Sequence, residues 1–117
     1  MSKVLTFETY QLAAAETAVY PGAGYGEDKA ITYTVLGLTN EAGEVAGKLK
    51  KVMRDNGGIL TPEKRQDLLS ECGDVLWYLS QTVNELGSGL EDVAQANLDK
   101  LNSRKARGVI GGSGDNR

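Results

Sequence analysis

The sequence predicts an all-α fold, a four-to-five-helix bundle, and three observations carry that prediction. Apolar residues recur every three or four positions along four segments, which is the period of a helix face. Glycine clusters with proline, asparagine or serine separate those segments, and such clusters are turn chemistry. No stretch alternates apolar and polar residues with the period of a strand, and no internal repeat is present. The 117 residues suffice for one domain with a modest core.

The first helix is expected over 6–18. Thr6 is its N-cap, and Phe7, Tyr10, Ala14 and Ala18 repeat at helical spacing. Pro21, Gly22, Gly24 and Gly26 end it. The glycine-rich loop over 20–28 has Tyr20 and Tyr25 as its only large side chains. It reads equally as a plain connector and as a mobile flap with a tyrosine stacked on a base.

A second helix is expected to begin between 30 and 33 and to run to 55. Val35, Leu38, Ala42, Val45, Leu49 and Val52 form its apolar seam. Glu41, Glu44 and Lys48 form a stripe beside that seam. Solvated charge belongs on the opposite face, so this placement marks the stripe for function. Gly37, Gly43 and Gly47 each cost a helix about 1 kcal/mol relative to alanine, which points to close packing or to a ligand near the backbone. Of the basic run Lys48, Lys50, Lys51 and Arg54, only Lys48 shares the acidic stripe. The others suit a solvated last turn favoured by the helix dipole.

Residues 55–58, Asp-Asn-Gly-Gly, make a turn. Thr61 caps a third helix with Pro62 at its first position, running to 86. Leu68, Cys72, Val75, Leu79, Val83 and Leu86 form its seam, and Asp67, Glu71, Asp74, Tyr78 and Gln81 form the polar stripe beside it. Cys72 lies in the seam and reads as a small core residue. Ser88 with Glu91 makes a capping box that opens a fourth helix, expected to end at 104. Leu90, Val93, Ala94 and Leu101 are its buried face, with Asn97 inside that face and Lys100 and Arg104 along one side. The domain is assigned to 1–105, and 106–117 is expected to be a disordered polar tail.

Glu41 with Glu44, and Glu71 with Asp74, are acidic pairs three residues apart, so each pair shares a helix face. If the two helices pack antiparallel, four carboxylates converge. Two unit charges about 5 Å apart at an effective dielectric near 20 repel by roughly 3 kcal/mol. A divalent cation relieves that repulsion, and an oxygen-only donor set suits magnesium or manganese. The chain has no histidine, which removes a histidine base, a Ser-His triad, the usual zinc sites and the Glu-x-x-His ligands of di-iron bundles. A formal charge of -3 argues against a nucleic-acid polymer as partner but not against a single nucleotide held through a metal. With one cysteine, no internal disulfide is possible. No apolar run is long enough to span a membrane and no signal-peptide pattern is visible, so the expected location is cytoplasmic, of a bacterium or of a phage's host.

Three stretches in order then carry a resemblance. Residues 38–44, Leu-Thr-Asn-Glu-Ala-Gly-Glu, and residues 71–78, Glu-Cys-Gly-Asp-Val-Leu-Trp-Tyr, resemble the two acidic motifs of the MazG-like all-α nucleoside triphosphate pyrophosphohydrolases. Residues 97–104, Asn-Leu-Asp-Lys-Leu-Asn-Ser-Arg, resemble that family's C-terminal signature. The similarity covers about 7–107 and is closest to the small stand-alone members of phage and bacteria. It implies a helical bundle assembled as a homodimer or a dimer of dimers. It also implies hydrolysis of (deoxy)nucleoside triphosphates between the α and β phosphates, with a deoxynucleotide favoured. By the same resemblance Glu41, Glu44, Glu71 and Asp74 are metal ligands and catalytic groups. Asn97, Lys100 and Arg104 match positions that hold phosphates, with Lys48 and Tyr78 beside them, and Gln11, Thr17 and Tyr20 lie where the base pocket is shaped. The long glycine-rich loop departs from the family pattern and leaves the base open. The alternatives are a nucleotide-binding module with negligible turnover and a helical partner protein whose acidic stripe is an ordinary polar face.

Overall fold

A computed structural model describes residues 4–117. Its four helices are α1 (Phe7–Ala15), α2 (Asp28–Asp55), α3 (Pro62–Glu85) and α4 (Leu90–Ala106), and no strand occurs among the described residues. No described helix is long and apolar enough to cross a membrane.

The starts of α1 and α3 follow the local chemistry of the sequence. Thr6 caps α1: its hydroxyl accepts the Thr9 N–H at 3.1 Å, and the Thr9 hydroxyl accepts the Thr6 N–H at 2.8 Å. Thr61 caps α3 by accepting the Lys64 N–H, with Pro62 at the first position. Helix α2 ends at Asp55, as expected, but two other ends differ. Helix α1 stops at Ala15 rather than 18, in a turn where the Thr17 and Ala18 N–H groups bond three residues back. Helix α2 starts at Asp28, ahead of the expected 30–33, immediately after Gly26 and Glu27.

The expected Ser88–Glu91 box does not cap α4. Gly89 is the N-cap and makes no side-chain bond. A residue of α1 takes over instead: the Gln11 Oε1 accepts the Leu90 N–H at 2.8 Å, and its Nε2 donates to the Ser88 carbonyl at 3.0 Å. A tertiary contact thereby satisfies a helix start that local chemistry was expected to satisfy.

Residues 56–61 turn the chain back so that α2 and α3 pair antiparallel, as the side-chain pairs Lys48–Glu71 and Gly37–Tyr78 require. Helix α1 lies on α3 and on α4; α4 touches α1 and α3 but not α2. Ala30, Thr34 and Val52 of α2 and Ser80, Gln81 and Val83 of α3 are buried.

The expected seams are only half covered. Val52 and Val83 are buried, but Val35, Ala42 and Leu49 of α2, Cys72 of α3 and Leu86 just past its end are exposed. The face of α2 turned to α3 is rotated from that seam and runs through Gly37, Glu41 and Lys48. Gly37 makes the rotation possible, because a Cβ there would overlap the Tyr78 ring. The left-over half of the seam, joined by Met53 of α2 and Leu69 of α3, faces outward.

Helix α4 includes Ala106, and residues 107–117 run as turns that fold back on its end. The Val109 N–H bonds to the Arg104 carbonyl, and the Arg107 guanidinium donates to the Arg117 carbonyl.

Candidate metal and nucleotide site

The antiparallel pair α2/α3 brings the acidic motifs together. Glu41, Glu71 and Asp74 each offer a carboxylate oxygen, and the three oxygens lie within 4.8 Å of one another. Glu44 stands one turn along α2, exposed and outside this trio, although its charge still acts on Glu41. Three carboxylates therefore cluster where four were expected.

The trio is electrostatically uneven. Lys48 donates from Nζ to Glu71 Oε1 at 2.9 Å, and that ammonium holds the Glu71 carboxyl below the usual carboxylate range. Glu41 is pushed up, first by burial and then by the neighbouring carboxylates of Glu71, Asp74 and Glu44. Glu71 Oε2 is buried and has no hydrogen-bond partner among the described residues. A buried carboxylate oxygen without a donor is costly. An all-oxygen cluster with one such orphan fits a hard divalent cation, so the residues suit magnesium or manganese.

Aromatic side chains border the trio. The Tyr78 ring fills the gap above Gly37, with the Tyr33 ring 6.5 Å away and the Trp77 ring 4.9 Å away edge-on. Its hydroxyl is pushed above its ordinary value, first by burial and then by Tyr33, Glu41 and Asp74. Tyr10 of α1 is likewise raised, by burial and by Asp74. From sequence Tyr10 reads only as a repeat of the α1 seam; its nearness to Asp74 depends on how α1 lies across α3.

Other expected substrate contacts are engaged elsewhere. Gln11 spends its amide on the start of α4. Thr17 accepts the Trp77 indole N–H at 2.8 Å. Tyr20 stacks on Tyr33 at 5.2 Å and donates to Glu85 Oε2 at 2.5 Å. Glu85 also accepts the Gly24 and Gly26 N–H groups at 2.8 and 2.9 Å. The glycine-rich loop is thus tied to α3 through one buried carboxylate, and the flap reading does not fit these bonds. Burial pushes Glu85 up, but its three hydrogen bonds outweigh that and hold it below its ordinary value. Neither the clamp nor the Trp77 anchor is visible in spacing, since both pair residues about sixty positions apart.

Neither Lys100 nor Arg104 of α4 pairs with the trio. Asn97 is exposed rather than buried. Lys100 lies 3.4 Å from Asp115. Arg104 is buried against the C-terminal turns, donating to the Asp115 carboxylate at 3.0 Å and to the Gly114 and Asp115 carbonyls.

Comparison with known proteins gives two matches. The model of the MazG nucleotide pyrophosphohydrolase domain matches residues 30–109. The chain is 53% identical over 111 residues to the gene 37 protein of Mycobacterium phage L5, covering 94% of this chain and 97% of that one. No solved structure matches the chain.

Proposed function

We propose, because this chain belongs to the MazG nucleotide pyrophosphohydrolase family, that it hydrolyses nucleoside triphosphates between the α and β phosphates. The products are a nucleoside monophosphate and pyrophosphate, and the favoured substrates are deoxynucleotides. The single observation that carries this reading is the trio Glu41, Glu71 and Asp74 with its orphaned Glu71 oxygen. These residues would hold magnesium or manganese, which when bound offsets the substrate's charge and acidifies a water.

The remaining roles belong to the chain's own groups. Glu44, outside the trio, accepts the proton that the attacking water loses. Lys48 stands beside Glu71 and offers its ammonium to a phosphate oxygen. Tyr78 positions the sugar end. The exposed apolar stripe of Val35, Leu49, Met53 and Leu69 supports a homodimer or a dimer of dimers. In such an assembly Asn97 and Lys100 of one copy approach the acidic trio of another, and Arg104 joins them only once its own C-terminal turns release it. The expected setting is the bacterial cytoplasm, where nucleotide pools are controlled.

Chromatography of reactions with magnesium and each common nucleoside triphosphate tests the reading. Monophosphate and pyrophosphate should appear together and only with metal. Diphosphate and orthophosphate, or no turnover of any nucleotide, would contradict it. Light scattering on the same sample should give the mass of two or four chains, and a single-chain mass would remove the assembly.

A further inference from the structure

Past the acidic trio, toward the turn over 56–61, α2 and α3 flank a cavity of about 190 Å³. It is lined by Lys48, Lys51 and Val52 of α2 and by Lys64 and Asp67 of α3. Three lysines thus meet one carboxylate there. Cations gathered in a cleft repel one another and draw in an anion. Two of them are not discharged by the chain itself: neither Lys51 nor Lys64 forms an ion pair among the described residues. Both charges act on the Asp55 carboxyl, but Arg54 already holds it through two bonds, at 2.6 and 2.8 Å. Lys51 and Lys64 are exposed, so a ligand can reach them.

Lys48 joins this cavity to the trio. It lines the cavity and donates to Glu71 Oε1 at 2.9 Å, while the orphaned Glu71 Oε2 is left for a cation. The antiparallel pair therefore has a polarity. Tyr78, seated on Gly37, lies on one side of the trio with the Tyr33 and Trp77 rings around it. Lys51 and Lys64 lie on the other side, Lys64 two helical turns before Glu71 and on the same face of α3. One end offers aromatic surface to a nucleoside, and the other offers charged donors to phosphate oxygens. In sequence Lys51 reads as part of a solvated last turn, no different from Lys50. The fold separates them, because Lys51 lines the cavity and Lys50 does not.

We propose that Lys51 and Lys64, together with Lys48, bind the two terminal phosphates of a nucleoside triphosphate, the part released as pyrophosphate, and so set the direction in which the substrate lies along α2 and α3. This rests on the hydrolase reading above. A nucleoside monophosphate, with its one phosphate at the trio, has no group to offer Lys51 and Lys64.

The test is calorimetry of the full chain with magnesium, titrating inorganic tripolyphosphate, pyrophosphate and deoxynucleoside monophosphates into wild type, Lys51→Gln, Lys64→Gln and Lys50→Gln. Lys50 is exposed and outside the cavity, so its variant makes the same change of net charge elsewhere. The wild type should bind tripolyphosphate and pyrophosphate. Lys51→Gln and Lys64→Gln should each bind both about 5- to 10-fold more weakly, the loss of one charge-assisted hydrogen bond at a partly solvated site. Lys50→Gln should bind them as the wild type does, and monophosphate affinity should be the same in every protein. Lys51→Arg and Lys64→Arg keep the charge and should restore binding, which separates a lost cation from a damaged fold. No binding of tripolyphosphate by the wild type, unchanged affinity in both cavity variants, or equal weakening in Lys50→Gln would overturn the lysine site. Weakening of monophosphates to the same extent as pyrophosphate would overturn it too. Lysine-dependent binding of polyphosphate without turnover of any nucleoside triphosphate would overturn the hydrolase reading and leave the lysine site in place.

Discussion

Gly37 shows how one missing side chain places another. With hydrogen in place of Cβ, α2 leaves room for the Tyr78 ring between Glu41 and α3. Gly37→Ala gains about 1 kcal/mol of helix propensity but overpacks a filled gap, which costs typically 1–3 kcal/mol. The net effect should be a lower denaturant midpoint and a displaced Tyr78. Gly43, whose added Cβ meets nothing within 4 Å, should respond oppositely and gain stability on change to alanine. If both substitutions stabilise, the ring is not seated where described. At this scale sequence goes part of the way: of three helix-interior glycines that suggest close approach only Gly37 makes one, and the spacing of Glu41, Glu71 and Asp74 announces their convergence. It does not reveal which glycine matters, because Gly37, Gly43 and Gly47 are equivalent to propensity and differ only in what lies opposite.

The helices themselves are legible where local chemistry fixes them and illegible where distant residues do. Thr6 and Thr61 cap as their sequence contexts require. The start of α4 is satisfied by Gln11, seventy-nine residues from Leu90, and spacing cannot show that. The glycine-rich loop behaves likewise. Its three glycines at positive φ, Gly22, Gly24 and Gly26, read as freedom, yet Glu85 accepts the N–H groups of Gly24 and Gly26 and the Tyr20 hydroxyl. Hydrogen bonds to a charged group are worth about 1.5–3 kcal/mol each, so Glu85→Gln should lower stability by about 2 kcal/mol at neutral pH. Glu85 is held below its ordinary value when folded. Its contribution is therefore present above the unfolded value near 4.3 and lost as pH falls through the folded one. The gap between wild type and Glu85→Gln in urea melts should close on acidification below about pH 4. A gap that stays constant to pH 3 would remove the clamp.

For the whole molecule, the all-α class and the pairing of α2 with α3 were legible in the periodicity. The use of the seams was not. A seam such as Val35, Ala42 and Leu49 looks identical whether it meets another helix of the same chain or a second copy, and here it faces outward. The separation of Asn97, Lys100 and Arg104 from the acidic trio was equally illegible, since the order of motifs along a chain does not state how far apart folding leaves them. The central claim is that Glu41, Glu71 and Asp74 form one divalent-cation site. Manganese binding followed by electron paramagnetic resonance, on wild type and Glu71→Gln at equal folded fraction, tests it most directly. The account predicts saturable binding in the wild type, tightened by a non-hydrolysable triphosphate, and at least a tenfold loss in the variant. Equal manganese affinity in the two proteins would contradict it.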